Sequence, residues 1–571
     1  MSKQPDTSPE ELEAALSELK AAADGWSRSS LEDRSRLMES CLQGVGETAE
    51  EWVNAATEAK GIAANSPARA EDLTSGPIAV ARCLRLLLCL FQRLRRGDPS
   101  PLESALSQRP GGKQEVRVIP AIGPFEQLGF MGFQAHVRLR NPVSPEEWRS
   151  RLQQRTKRLT ESRPGVALIL GAGNVSSIPA LDAFYKLFHE GRVVLLKFNP
   201  VNDYLGPIFK KAFASLIKEG CLRLIHGGAE VGAAAVNHPL VDEVHVTGSI
   251  ETHDRIAWGP PGEERERRKR ENDPALQKPI TSELGNVSPW IIAPGNYSTR
   301  ELAYQAENTA TSILNNVSFN CVATKVIVTA ADWPQREEFL DRVQGVLRLT
   351  PRRKAYYPGA ADRFRRFLAE ANAQPAAKPS GDLLPWTLLR DVDPDESPLF
   401  FQEESFTPIC VETSLPARSP EEFLSSAVDF VNDRLWGTLS AAMTLPTDFR
   451  GRAASEELLQ TCVDRLRYGV VGINHWPAMG YAMMTPPWGG FPDASLQDAQ
   501  SGLGWVHNIY LLEDVEKTVL EGPLSSSSTP IWFPTHPRPE PICRRMLQLY
   551  LRPTWWNATR LVASALGVDF S

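Results

Sequence analysis

Apolar and polar positions along this chain follow two periods, and the change between them marks out the elements. From residue 9 to 62 the apolar residues recur at helical spacing, with Leu12, Leu16 and Leu19 on one face. Ser8 with Glu11 three positions on is a capping-box pattern that starts the first helix. Val80 to Arg96 is apolar on one side and basic on the other. That pattern predicts a helix packed on a domain with its arginines in water; a membrane-surface seat is the alternative. Residues 98–118 are rich in Pro and Gly and predict loop, whereas Gly129 to Arg140 has the partial alternation of a strand.

From residue 165 the pattern changes to short apolar runs. Gly165 to Leu170 and Val193 to Lys197 predict buried strands, and Leu222 to Ile225 and Val241 to Val246 a third and a fourth strand. Helical stretches from Ser176 to about His189, and from about Tyr204 to Lys218, separate the first three. This alternation predicts an α/β fold with a parallel sheet and a ligand at the carboxyl ends of its strands. Further on, Glu301 to Leu314 and Trp333 to Leu347 predict helices, with a strand at Thr324 to Val328 between them. The mixed-sign run Glu263 to Glu271 predicts solvated surface.

A chain of 571 residues has room for more than one domain. A net charge of −7 over that length argues against nucleic acid as the main partner. The first ten residues are polar, and no apolar run approaches the roughly 20 residues a membrane span needs. Eight cysteines are scattered without metal-ligand spacing, which predicts reduced thiols in a cytoplasmic protein and no metal site.

The candidate chemistry sits in Ser282 to Lys325. Thr281-Ser282-Glu283-Leu284-Gly285-Asn286 places a carboxylate at a Gly-containing turn. After the helix at 301–314, Ser318-Phe319-Asn320-Cys321-Val322-Ala323-Thr324-Lys325 places a thiol among small and polar residues. A thiolate is a strong nucleophile, and a nearby carboxylate can serve as base for it or for water. By spacing alone, one Cys among eight is more often a buried small hydrophobe.

Glu283-Leu284-Gly285-Asn286 followed by Asn320-Cys321 resembles the aldehyde dehydrogenase superfamily. Further matches come in the family's order: Glu403-Glu404-Ser405-Phe406-Thr407-Pro408, Asn432-Asp433 with Trp436-Gly437, Gly472-Ile473-Asn474, and Pro487-Trp488-Gly489-Gly490. The resemblance implies a Rossmann-type cofactor domain over 1–282, interrupted by a β-arm near 115–160. It also implies an α/β catalytic domain over 283–500 and closing strands of the arm over 501–524. Residues 525–571 form an extension that the family does not predict. Its stretch Ile542 to Leu566 is expected to pack on its own domain, with a membrane surface or an oligomer interface as alternatives.

By the same resemblance Cys321 is the nucleophile, Glu283 the base, and Asn174 a donor to the oxyanion. Lys197 would contact the adenosine ribose, Gly248 and Ser249 the pyrophosphate, Glu404 the nicotinamide ribose and Phe406 the nicotinamide ring. The implied reaction is NAD(P)-dependent oxidation of a small-molecule aldehyde to a carboxylic acid, through a cysteine thioester, by a homo-oligomer. Pro200 stands where many NAD-preferring members have an acidic residue, so NAD and NADP both stay open. Met479, Met483 and Met484 are expected to border the substrate tunnel.

Two departures stand out. His245-Val246 replaces a more usual apolar-Phe pair, and Ser501-Gly502-Leu503-Gly504-Trp505-Val506 lacks the family's Arg-Glu ending. A proton relay through that glutamate is therefore in doubt. Two other readings remain: a CoA-acylating relative, which Glu283 disfavours because it would hydrolyse the thioester, and a non-catalytic scaffold.

Overall fold

Two sheets carry the fold, and the apolar runs of the sequence form their centres. The computed structural model describes residues 4–98, 102–120, 125, 128–375, 377–449 and 453–568. Residues 99–101 of the predicted loop and 569–571 of the extension lie outside the described residues. The first sheet has six strands, in the spatial order Gly502–Leu503, Ile280–Glu283, Glu243–Thr247, Val166–Leu170, Val193–Lys197 and Leu222–Ile225. All are parallel except Gly502–Leu503. Val166 to Ile169 and Val193 to Leu196 are almost fully buried. Helices such as Pro9–Ser27 and Ile178–Phe184 pack on this sheet, so its central strands Val166–Leu170 and Val193–Lys197 read as near-unbroken apolar runs rather than alternating ones. Ser8 caps the first of these helices with the reciprocal Glu11 bond the sequence predicts.

The second sheet has ten strands. Its parallel centre is Thr324–Ala330, Ser288–Ile292, Ser440–Thr444 and Val470–Ile473, side by side in that order. Val515–Glu521 continues it, parallel to Val470–Ile473 and antiparallel to Gln134–Leu139. Gln134–Leu139 in turn pairs with Gln114–Ile119. The strands expected to form an arm thus extend this chain's own large sheet. The expected arm segment is only half strand, because Pro145–Thr160 is a helix capped by Ser144, with Trp148, Leu152 and Leu159 buried along one face. The expected closing segment divides, Gly502–Leu503 joining the first sheet and Val515–Glu521 the second.

Three expectations need correction. Residues 98–118 are not all loop: Gln114–Ile119 is a strand whose Val116 and Val118 point inward, an alternation hidden by the preceding Pro110-Gly111-Gly112 turn. The arginines of Ala79–Arg95 are not all in water. Arg82 is 1% exposed and donates to the Met483 carbonyl and the Tyr550 hydroxyl, while Arg85 donates to the carbonyls of Tyr550 and Leu551. Finally, Arg69–Arg95 is long and apolar enough to cross a bilayer, but most of it is buried inside the fold, as a core helix is.

Those arginine bonds anchor the C-terminal extension. Pro539–Leu551 buries Cys543, Leu547 and Tyr550 in the main core, and Trp555–Ala565 packs on it. Trp555 and Trp556 stay on the surface, 71% and 63% exposed.

Candidate active site

The loops that follow the first sheet's strands enclose a cavity of about 1010 Å³. Parallel strands deliver their following loops to one edge, which makes that edge a ligand site. Asn174, Lys197, Gly248, Ser249, Glu283, Cys321, Glu404 and Phe406 all line it. These residues span more than two hundred positions of sequence, and the fold gathers them around one space.

At the inner end of the cavity the Cys321 thiol donates to Glu283 Oε1 at 3.2 Å. Glu283 ends the strand Ile280–Glu283 and is 2% exposed, while Cys321 is half-buried in the turn before Thr324–Ala330. Burial pushes the Glu283 carboxyl up to about 7, helped by the charges of Asp182 and Glu404. Burial also pushes the Cys321 thiol up, and the charges of Glu283 and Glu404 add to this. The thiol is therefore protonated at rest, with its proton directed at a base poised near neutrality.

The turn before Cys321 is strained. Asn316, Val317 and Ser318 have φ of 49°, 58° and 63°, a left-handed run that a β-branched residue such as Val317 rarely adopts. Polar clamps hold it. Asn316 Nδ2 donates to the carbonyls of Asn174 and Phe319, each at 2.9 Å. The Tyr356 hydroxyl lies 3.0 Å from both the Asn174 carbonyl and Asn316 Oδ1, which share its one proton. Lys325, buried, donates to the Ser318 carbonyl and hydroxyl, and burial lowers its amine to about 8. Asn174 reaches the same turn: its Nδ2 donates to the Phe319 carbonyl at 3.1 Å.

The other end of the cavity is lined by Lys197, Asn199, Gly248, Ser249 and Glu404. Lys197 ends the strand Val193–Lys197, and Asn199 rather than Pro200 lines the wall beside it. Gly248 and Ser249 stand at the start of Ile250–Trp258, where Ser249 is the N-cap and the helix N-terminus favours an anion. Glu404 has one carboxylate oxygen buried with no partner, and its other oxygen lies where a Cβ on Gly285 would sit, so only glycine leaves it room. Burial pushes its carboxyl up to about 7, against the charge of Lys325. Phe406 closes an aromatic corner with Phe319 and Tyr357, at centroid distances of 5.6 and 5.0 Å. The unpaired oxygen of Glu404 and the open helix start fit the ribose hydroxyls and phosphates of a nicotinamide cofactor.

Met479, Met483 and Met484 are buried in the core, and none of them lines this cavity.

The Aldehyde dehydrogenase family model matches residues 151–512, more than half of the chain. The chain belongs to the aldehyde dehydrogenase family. Among curated relatives, an aminoaldehyde dehydrogenase 2 of Malus domestica is 26% identical over 293 residues, covering 48% of this chain and 50% of that protein. The chain thus spans about half the length of the curated relatives it matches. An NAD-dependent aldehyde dehydrogenase from Sinorhizobium meliloti superposes with a TM-score of 0.60 at 17% identity, covering 90% of this chain and 87% of that one. An NADP-dependent glyceraldehyde-3-phosphate dehydrogenase from Bacillus halodurans, complexed with NADP, gives 0.60 at 17%, covering 90% and 91%.

Motif reading missed several residues that shape the site of this aldehyde dehydrogenase family member. Asn316, Tyr356 and Lys325 clamp the turn before Cys321, and the charge of Asp182 adds to burial in raising Glu283. Tyr356 and Asp182 carry no local signal, because their partners are remote in sequence. Asn316 and Lys325 flank Cys321 and could have been found from that position alone.

Proposed function

We propose that this chain oxidises an aldehyde to a carboxylic acid with NAD or NADP, using Cys321 as nucleophile and Glu283 as base. The observation that carries this reading is the 3.2 Å contact between the Cys321 thiol and Glu283 Oε1, inside a cavity that also fits the cofactor. Glu283 takes the thiol proton, and the thiolate adds to the aldehyde carbonyl. The Asn174 side-chain amide and the Cys321 backbone N–H hold the oxyanion, each donor worth roughly 3 kcal/mol. A nicotinamide held there would supply the hydride acceptor that turns the Cys321 adduct into a thioester. Glu404 and Phe406 would hold the nicotinamide half, and Lys197, Gly248 and Ser249 the adenosine and phosphates. Glu283, once deprotonated again, draws a proton from water, which attacks the thioester and frees the acid, and the departing Cys321 thiolate takes that proton back from Glu283.

A carboxylate against the nucleophile suits hydrolysis, whereas an enzyme that passes its acyl group to CoA must spare the thioester. Relatives described as NAD-dependent or complexed with NADP support a nicotinamide cofactor and leave both forms in play. The test is reduced-cofactor absorbance with the purified protein, a panel of aldehydes, and NAD or NADP in turn, with and without CoA. The reading predicts turnover without CoA that Cys321→Ala abolishes. Turnover that requires CoA would replace it with the acylating reading.

A further inference from the structure

The mixed-sign run of the sequence folds as the helix Glu263–Glu271, and not all of it is solvated surface. Arg265 is 5% exposed and clasps Glu251 with two bonds, Nη1 to Oε2 at 2.9 Å and Nη2 to Oε1 at 3.0 Å. Its Nε donates to the Gly259 carbonyl at 2.9 Å. Lys269 donates to Asp254 Oδ2 at 2.5 Å. Glu251 and Asp254 are the acidic residues of Ile250–Trp258, so the mixed-sign helix offsets both of their charges.

Ile250–Trp258 is the helix whose start would take the cofactor's phosphates. Thr252, Arg255, Ile256 and Gly259 line the cavity from its end of the chain, at the spacing of one helix face. Ala233 and Val236 line it from the helix Ala229–Asn237. An adenine between these two helices would have its ribose beside Lys197.

Lys197 is 8% exposed, and among the described residues its ammonium has one hydrogen-bond partner, the Phe198 carbonyl at 3.2 Å. An ammonium carries three donors. Asp203 and Asp6, whose charges act on Lys197, do not line the cavity, and Asp203 accepts from the Gln4 N–H and pairs with His226. Arg255 touches Glu251 only at 3.4 Å. The charged lining at this end is thus Lys197, Arg255 and a Glu251 already bound on both oxygens by Arg265.

We propose that this end of the cavity is a subsite for a phosphate on the adenosine ribose, the 2′-phosphate of NADP, held by Lys197 and Arg255. Arg265 is its positioning residue: it keeps Glu251 from repelling the phosphate and from holding Arg255 away. Guanidinium and ammonium groups make charge-assisted bonds to phosphate, whereas a bare carboxylate at that range repels it. The inference rests on the nicotinamide cofactor of the function proposed above, and it selects between the two forms.

Calorimetric titration of the full chain tests it, with 5′-AMP, adenosine 2′,5′-bisphosphate and adenosine 3′,5′-bisphosphate as probes. The 2′,5′ compound should bind about tenfold or more tighter than 5′-AMP. Arg255→Ala should lower that ratio several-fold. Arg265→Gln should lower it too, and Glu251→Gln added to Arg265→Gln should restore it, which mere loss of the helix would not allow. Equal affinity for 5′-AMP and the 2′,5′ compound, or binding of neither, would overturn the subsite. So would tightest binding of the 3′,5′ compound, which carries the ribose phosphate of CoA. NADP that binds while no aldehyde turns over would remove the oxidation and leave the subsite standing. Aldehyde turnover with NAD well ahead of NADP would do the reverse.

Discussion

Asp182 lies near enough to Glu283 for its charge to raise the Glu283 carboxyl, although the two are 101 positions apart in sequence and on different elements. With burial as the larger cause, the carboxyl titrates at about 7. Only its ionised form is a base, so steady-state turnover should fall about tenfold per pH unit below 7 and level off above it. Asp182→Asn removes one of the charges that raise it, and the acid limb should move to lower pH. A pH–rate profile of both proteins checks the shift.

The same raised carboxyl affects stability. In the unfolded chain Glu283 ionises at its ordinary value near 4.5, whereas in the folded chain it holds its proton up to about 7. Between those values the folded state binds more protons, so stability from this group is present below the lower value and lost as pH rises through the upper one. Glu283→Gln removes that loss. Its thermal transition should rise relative to wild type at pH 8, with little difference at pH 4. Melting curves at the two pH values decide it.

The strained turn before Cys321 should depend on its clamps. Tyr356→Phe deletes the hydroxyl proton shared by the Asn174 carbonyl and Asn316 Oδ1 while keeping the ring against Phe319. Losing that shared hydroxyl bond, worth about 1 kcal/mol, should lower kcat by roughly fivefold through misplaced Cys321 and Asn174. The cofactor KM should change little. Asn174→Ala, which removes an oxyanion donor outright, should cost about 10² to 10³ in kcat.

Cofactor choice should turn on Asn199. It lines the wall beside Lys197 and carries no charge to repel a 2′-phosphate. Asn199→Glu should lower kcat/KM for NADP by about tenfold or more relative to NAD, because like charges at such range cost at least about 1 kcal/mol. The ratio of the two kcat/KM values is the readout.

Much of this was legible in the sequence because the deciding signals are local. The strands Val166–Leu170 and Val193–Lys197 are apolar runs buried on both faces, and Ser8 with Glu11 caps its helix by adjacency. The motifs around Glu283, Cys321 and Glu404 are short and stand in the family's order. What periodicity could not show is partnership across the chain. Arg82 looks like a solvated cation on an amphipathic helix until the Tyr550 hydroxyl, 468 positions away, arrives to bond it. Asp182 and His245 sit inside apolar stretches and mean nothing until two strands and a helix bring them together. The left-handed turn at 316–318 has no glycine to announce it, because it is held by side chains from elsewhere.

The central claim is that Cys321 carries the acyl group and Glu283 releases it. Glu283→Gln should therefore form the acyl-enzyme slowly, because the Cys321 proton must leave without that base, and then stop after one turnover. Mixed with aldehyde and cofactor, it should give a slow burst of about one reduced cofactor per Cys321. Intact-mass spectrometry should find the acyl group on that cysteine. Steady turnover by Glu283→Gln at the wild-type rate, or a burst with no mass added at Cys321, would contradict the account.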